Sequence, residues 1–251
     1  MQFSINRQAF IKALNDVSRA ISSRTTIPIL TNIKIVLTQE ELILTGSNSD
    51  ISIETRIDQS DTGAQLIIKQ PGGITLLATF FSNIVKNLPA DDMTLSVDGV
   101  RASITSGASD FTINGQDVHN YPQLPEMDDV QSLSVSAAQL VDIISQTKIS
   151  ASTQESRPIL TGIHLALNGN DVKAVTTDSH RLSQRIVTLT GTDAHVKADV
   201  IMPAKSFNEL QSLLEGQDRV EIKLAANQAV FDLGNTTFYS RLLEGNYPET
   251  D

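Results

Sequence analysis

Apolar residues recur every three or four positions in four segments of the chain, and this spacing predicts four amphipathic helices. Their apolar stripes are Phe10, Leu14, Val17 and Ile21; Phe81, Ile84, Val85 and Leu88; Leu140, Ile143, Ile144 and Thr147; and Phe207, Leu210 and Leu214. Short runs bounded by turn residues predict strands at 33–37, 41–45, 51–57, 93–97, 101–105, 111–114, 220–224, 229–233 and 238–242. Strand runs interrupted by single helices predict an α+β fold in which helices pack on antiparallel β-sheets.

Polar residues and prolines mark the expected limits of these helices. Residues 4–6 and Ser136 supply caps for the first and third helices, Pro89 ends the second, and Pro203 precedes the fourth. The sequence Pro71-Gly72-Gly73 predicts a turn and lacks the spacing of a phosphate-binding loop.

The chain repeats itself after about 130 residues. The sequence Pro-Ile-Leu-Thr occurs at 28–31 and at 158–161, and Asn-Tyr-Pro occurs at 120–122 and at 246–248. The matches keep their order, so we predict two homologous domains, 1–127 and 128–251, with the boundary at Asp128-Asp129. Helix followed by strands also occurs twice within each half, which suggests a finer internal duplication.

Composition is that of a globular protein without cysteine chemistry. The 251 residues are 40% hydrophobic and 19% charged, and they include no cysteine. No apolar run approaches the roughly 20 residues that span a bilayer. The start at Met1 leads directly into amphipathic sequence without a signal peptide, so we expect a cytoplasmic protein.

The net charge of −10 argues at first against a nucleic-acid partner, but binding depends on where the cations lie. At about 100° per residue, Lys12 and Arg19 lie opposite the first apolar stripe, and Lys86 and Lys205 also lie off the apolar faces of their helices. These cations would either line a binding surface or form ordinary solvated helix faces, since carboxylates such as Asp16 lie among them.

No enzyme signature emerges from the motifs. Thr177-Asp178-Ser179-His180-Arg181 has the residue types of a hydrolase triad, but neighbouring residues do not assemble such a triad. A polar turn that presents His180 and Arg181 is the better interpretation. The four histidines lack metal-ligand spacing, so we predict neither metal nor cofactor. With Leu160, Leu182 and Pro248, this turn would rim either a peptide groove or an ordinary packing surface.

Together these motifs resemble the bacterial DNA polymerase III beta subunit family, the replicative sliding clamps. The resemblance rests on Arg24 before Ile-Pro-Ile-Leu at 27–30, on Arg157-Pro158-Ile159-Leu160-Thr161-Gly162, on the 177–183 segment and on Leu-Glu-Gly-Asn-Tyr-Pro at 243–248. It covers essentially the whole chain. It implies a non-catalytic homodimeric ring of repeated domains, in which helices line a central hole for duplex DNA and confer processivity on the polymerase.

The resemblance also implies site residues and partners. The implied DNA contacts are Arg24, Gln154 and Lys205, to which helix placement adds Lys12, Arg19 and Lys86. The implied pocket for short hydrophobic motifs consists of Leu160, Thr177, Ser179, His180, Arg181, Leu182 and Pro248. Its expected partners are the DNA polymerase III alpha subunit, the clamp loader, other polymerases and repair proteins.

Two features depart from the implied pattern. The family continues beyond the position of Asp251 into a third domain, which would complete the pocket and the protomer interface. Phe111 and Ile113 are the expected apolar interface contacts, but Ala108, Ser109 and Asp110 stand where some relatives have basic residues. Two alternatives stay open: a peptide-binding scaffold that never encircles DNA, and a hydrolase that uses Asp178 and His180.

Overall fold

The computed structural model describes residues 1–124, 127, 130–190 and 196–250. The chain forms two compact units, Met1–Leu124 and Pro125–Asp251. The boundary expected at Asp128-Asp129 lies outside the described residues.

The first unit contains two helices and two antiparallel sheets. Its elements are β1 (Gln2–Asn6), α1 (Arg7–Ser18), β2 (Asn32–Leu37), β3 (Glu41–Ser47), β4 (Ile51–Asp58), β5 (Ile67–Gln70), β6 (Gly72–Leu77), α2 (Ala78–Lys86), β7 (Asp92–Asp98), β8 (Arg101–Ser106) and β9 (Ser109–Asn114). Short 3₁₀ turns occupy Pro28–Thr31 and Val118–Asn120. One sheet has the strand order β6-β2-β3-β4, and the other has the order β5-β1-β7-β8-β9.

The second unit has the same plan. Its elements are β10 (Gln131–Ser136), α3 (Ala137–Thr147), β11 (Gly162–Asn168), β12 (Asp171–Thr177), β13 (Leu182–Thr188), β14 (Lys197–Pro203), α4 (Ala204–Leu213), β15 (Arg219–Leu224), β16 (Gln228–Asp232) and β17 (Thr236–Arg241). Its 3₁₀ turns are Lys148–Ser150 and Pro158–Thr161. Its sheets have the orders β13-β12-β11-β14 and β10-β15-β16-β17.

Each unit is built from two similar halves that exchange strands. In the second unit the pattern strand, helix, three strands occurs twice, and the first unit differs by the additional strand β5. The first strand of each unit pairs with a strand of the second half, β1 with β7 and β10 with β15. This exchange ties the two halves into one body whose helices pack on antiparallel sheets, which confirms the α+β prediction.

Aromatic side chains from helices and strands meet in both cores. In the first unit the Phe10 ring lies 5.9 Å from the ring of Phe3 and 5.9 Å from that of Phe81, edge to face in both cases. In the second unit Phe231 contacts Phe207 and Phe238 in the same way, at 6.5 and 6.0 Å. Edge-to-face pairs of this kind favour one packing arrangement of helix against sheet.

The sequence-based boundaries needed three corrections. A strand precedes the first helix of each unit, so Ser4 lies in β1 and only Asn6 caps α1, accepting from the N–H groups of Gln8 and Ala9 at 3.0 and 3.1 Å. Ile21, Leu88 and Leu214 lie beyond their helices. Gly72 and Gly73 belong to β6, where they pair with Leu37 and Val36. No bounds were predicted for β5, β6 and β11–β14. The short strands β1 and β10 were missed because they run straight into helices without a turn residue.

Candidate functional site

The first helix separates its cations from its core residues. Phe10, Leu14 and Val17 of α1 are buried, whereas Lys12 and Arg19, the latter at the C-terminal cap of the helix, are exposed. Asp16 lies on the same helix, and its burial raises the pKa of its carboxyl, while the charges of Lys12 and Arg19 act in the opposite direction. The exposed face of the helix is therefore basic, and the carboxylate of Asp16 on it is partly buried.

Arg24 and Gln154 occupy equivalent loops in the two units. The hydroxyl of Ser22 accepts from the N–H of Arg24 at 3.1 Å, and that of Ser152 accepts from the N–H of Gln154 at the same distance. Both side chains are exposed, just before the 3₁₀ turns that begin at Pro28 and Pro158. A serine turn thus presents a polar side chain at the same point of each repeat.

The remaining predicted cations lie on α2 and α4. Lys86 is the exposed last residue of α2, and the end of that helix is held by Arg7, which donates to the carbonyls of Ala90 at 2.8 Å and Lys86 at 3.3 Å. Lys205 of α4 forms an ion pair with Glu155 at 3.2 Å, and both side chains are more than four-fifths exposed. Such a pair is weak in water, so a phosphate would compete readily with Glu155.

Asp178 organises the turn between β12 and β13. Its carboxylate accepts from the backbone N–H groups of His180 and Arg181 at 3.0 Å and from the guanidinium of Arg181 at 2.9 Å. The hydrogen bond from the His180 N–H, followed by that from Arg181, holds the pKa of Asp178 below its usual value. The carboxylate of Asp178 therefore stabilises the turn, and this structural role favours the interpretation of the segment as a polar turn over that of a hydrolase site.

The turn exposes an apolar residue beside polar ones. Thr177 and Leu182 are directly opposed across β12 and β13, and Leu182 is 49% exposed. Ser179 adopts a positive φ of 77°, and its hydroxyl accepts from Arg157 at 3.2 Å. Ser179, His180 and Arg181 are exposed at the same turn. Of the predicted pocket residues, Leu160 is the one that is buried, at 7% exposure, so it offers little surface.

The end of the second unit brings Pro248 to the same neighbourhood. The hydroxyl of Tyr247 accepts from the N–H of Thr177 at 2.9 Å, and Pro248, the next residue, is exposed. The Tyr247 ring stacks on that of His164, with ring centroids 5.0 Å apart. Sequence reasoning missed Tyr247 and His164 as parts of this site, although the repeated Asn-Tyr-Pro motif marked the segment.

Phe111 and Ile113 lie on a strand at the end of its sheet. In the strand order of the first unit, β9 comes last, and it pairs with β8 through Phe111 opposite Ile104 and Ile113 opposite Ala102. Phe111 is 42% exposed. An apolar edge strand of this kind can accept another strand.

In the residues that the structure describes, no group of three or more His, Cys, Asp or Glu side chains is arranged to hold a metal ion. Within the same ranges, no helix is long and apolar enough to cross a membrane.

Both halves of the chain match one family in the expected order. Residues 1–125 match the DNA polymerase III beta subunit N-terminal domain, and residues 134–249 match the central domain of the same subunit. The chain belongs to the DNA polymerase III beta subunit family. This is the family of the sliding-clamp processivity factor, which is not itself catalytic.

Individual clamps are similar along the whole chain. A beta sliding clamp of Halalkalibacterium halodurans is 44% identical, and the match covers 100% of this chain and 67% of that protein. The beta chain structure from Streptococcus pneumoniae superposes with a TM-score of 0.95 at 43% identity, covering 99% of this chain and 66% of that one. A Pseudomonas aeruginosa sliding clamp bound to griselimycin has a TM-score of 0.90 at 30% identity, with the same coverage. The chain thus spans about two thirds of these relatives.

Proposed function

We propose that this chain forms the N-terminal and central domains, 1–127 and 128–251, of a cytoplasmic sliding clamp that encircles duplex DNA and confers processivity on the replicative polymerase. The observation that carries the proposal is the match of both units, in order, to the beta subunit family. The clamp acts without catalysis, because topological linkage to DNA is what keeps the polymerase from diffusing away.

The proposed DNA contacts are the exposed polar residues of helices and adjoining loops. They are Lys12, Arg19, Arg24, Lys86, Gln154 and Lys205. Their placement supports the proposal because a chain with a net charge of −10 can bind DNA only through locally concentrated cations. Such contacts go to phosphates, so association is independent of sequence and weakens with salt.

The proposed partner pocket surrounds the turn between β12 and β13. It comprises Leu160, Thr177, Ser179, His180, Arg181, Leu182 and Pro248. The exposed Leu182 supplies an apolar anchor point within a polar rim, a combination that suits short hydrophobic motifs. The partners are the DNA polymerase III alpha subunit, the clamp loader, other polymerases and repair proteins. Since a related clamp binds griselimycin, that compound is a suitable probe.

Ring closure would use the apolar edge of the first unit. Phe111 and Ile113 on β9 would contact a second copy of the protein in a head-to-tail homodimer. Head-to-tail contacts form a closed ring when the rotation that relates successive copies adds up to a full turn. The exposed Phe111 supports this assignment.

The test is retention on DNA of defined topology. The natural-length gene product is loaded by its clamp loader onto nicked circular DNA, and bound protein is measured before and after the circle is cut. Retention on circles with rapid loss from linear ends is expected. Equal loss from both, or equal retention on both, would contradict encirclement and favour a peptide-binding scaffold.

Charge variants test the DNA surface separately. Arg24→Glu with Lys205→Glu should weaken binding to linear duplex at low salt by about tenfold or more, because two phosphate contacts are lost. Lys69→Glu with Lys197→Glu is the matched control, since both lysines are exposed on strands. If the two double variants weaken duplex binding equally, the proposal of a specific basic face is refuted.

A further inference from the structure

The last segment of the second unit, 243–250, here called the strap, is fastened to the unit at several points. Gly245 has a φ of 134°, and a Cβ at this position would lie 2.8 Å from the side chain of Ile159, so the backbone packs closely there. Tyr247 contacts Thr177 and His164, and the carbonyl of Thr250 accepts from the ammonium of Lys173 at 2.7 Å. The exposed Pro248 lies between two of these attachments.

The hydroxyl of Tyr247 pairs with a backbone group that the sheet leaves free. The β11–β12 pairing ends at His164 opposite Val175, two residues before Thr177. The N–H of Thr177 therefore lies beyond that ladder and donates instead to the Tyr247 hydroxyl at 2.9 Å. Burial raises the pKa of Tyr247, while this hydrogen bond opposes the shift, so the phenol stays neutral and available as an acceptor near neutral pH.

His164 provides the surface on which Tyr247 lies. The two rings are 5.0 Å apart and inclined by only 15°. The Nε2 atom of His164 is 2.8 Å from a carboxylate oxygen of Asp199 on the neighbouring strand β14, which fixes the plane of the imidazole. The side chain of His164 is only 16% exposed, so the stacked pair forms a partly buried base for the strap.

From this arrangement we infer that Tyr247, stacked on His164, is a positioning residue for the partner pocket: it holds Pro248 on the strap beside Thr177 on β12. The inference rests on the proposed pocket and adds residues that bind no peptide themselves. It explains how an exposed chain segment keeps a fixed place beside the turn that carries Leu182. If the strap is closed for only a fraction of the time, the apparent affinity of the pocket is the intrinsic affinity multiplied by that fraction.

The experiment measures binding of fluorescent griselimycin to the natural-length protein. Tyr247→Phe keeps the ring and removes the hydroxyl, and we expect binding to weaken about threefold to tenfold, the range of one lost hydrogen bond. Tyr121→Phe is the matched control, because Tyr121 is the corresponding residue of the first repeat and should leave binding unchanged. His164→Ala should weaken binding about threefold, and His164→Phe should restore it by keeping the stacked ring.

A second readout separates positioning from general stability. In Tyr247→Phe, hydrogen exchange of the Thr177 amide should become faster while the amides of 171–175 keep their protection. Faster exchange throughout β12, or unchanged griselimycin binding, would overturn the inference. Leu182→Ala tests the pocket itself: if it fails to weaken binding, the proposed pocket is wrong, whereas loss with Leu182→Ala but not with Tyr247→Phe refutes only the positioning role.

Discussion

The two repeats cap a turn in the same way at equivalent positions but give it different surfaces. In the first unit Asn48 accepts from the N–H groups of Asp50 and Ile51 at 2.8 and 2.9 Å. In the second, Asp178 accepts from those of His180 and Arg181. Both side chains cap the turn through the same pair of hydrogen bonds, although Ser179 has a positive φ of 77° and Ser49, at the equivalent position, does not.

The residues that follow each turn show the divergence most clearly. The position of Ile51, which is 5% exposed in the core of the first unit, holds the exposed Arg181 in the second. The position of Ser52, which is paired with Ser47, holds Leu182, which is paired with Thr177 and is 49% exposed. The turn of the second unit also carries His180 and Arg181, while that of the first has the acidic Asp50. Duplication thus supplied two scaffolds, and only the second presents an apolar anchor point to solvent.

Truncation of Ile51 should lower the stability of the protein far more than truncation of Leu182. Ile51→Ala should lower the free energy of unfolding by about 2–4 kcal/mol, because it opens a cavity in a packed core. Leu182→Ala should change it by no more than about 0.5 kcal/mol. Denaturant titration of both variants measures the difference, and a large loss for Leu182→Ala would mean that its side chain serves packing rather than binding.

The first helices of the two units differ in charge at corresponding positions. Where the first unit has Lys12 on α1 and Arg19 at the C-terminal cap of that helix, the corresponding positions, 130 residues later, hold Asp142 and Ile149. Asp142 is exposed on α3, and Ile149 is 63% exposed just after it. The basic face of α1 is therefore not repeated on α3, and we expect the two helices to contribute unequally to DNA binding.

A positive charge introduced on α3 should bring its contribution to DNA binding closer to that of α1. Asp142→Lys should strengthen binding to linear duplex roughly fivefold at about 0.1 M salt and make the slope of log affinity against log salt steeper by about 0.9, the value for one added phosphate contact. Fluorescence anisotropy over a salt series measures both quantities.

The control for this variant carries the same charge change elsewhere. Glu221→Lys alters an exposed residue of β15 in the same unit and should leave the salt slope nearly unchanged. If both variants steepen the slope equally, net charge alone is responsible and α3 does not face DNA.

Periodicity predicted the helices and about half of the strands, because each of these buries a regular stripe or alternating face. Phe10, Leu14 and Val17 recur at helical spacing and are all buried, and the run at 51–57 became β4 (Ile51–Asp58). Periodicity failed where elements meet without a turn, as at β1, whose strand passes directly into α1 at Asn6. The tertiary pairing of β1 with β5 and β7 leaves no signal in its own five residues.

The candidate site was predictable in part for a similar reason. The exposure of Lys12 and Lys205 follows from helical geometry, and the turn at 177–182 follows from its Thr-Asp-Ser composition. The contact of Tyr247 with Thr177 joins residues 70 positions apart, and no local pattern encodes it. The assigned roles in DNA, peptide and protomer binding remain predictions.

The smallest predicted effect concerns Asp16, the carboxylate on the basic face of α1. Burial raises its pKa in the folded protein, so the stability it contributes is present at low pH and is lost as pH rises through that raised pKa. Asp16→Asn should therefore stabilise the protein at pH 7 by about 0.5 kcal/mol or less and have less effect at pH 4. The corresponding position on α3 holds Gln146, a neutral residue, which indicates that the fold does not require a charge here. Urea titration at both pH values tests this expectation, and a variant that is less stable at pH 7 would mean that attraction to Lys12 and Arg19 outweighs the cost of burial.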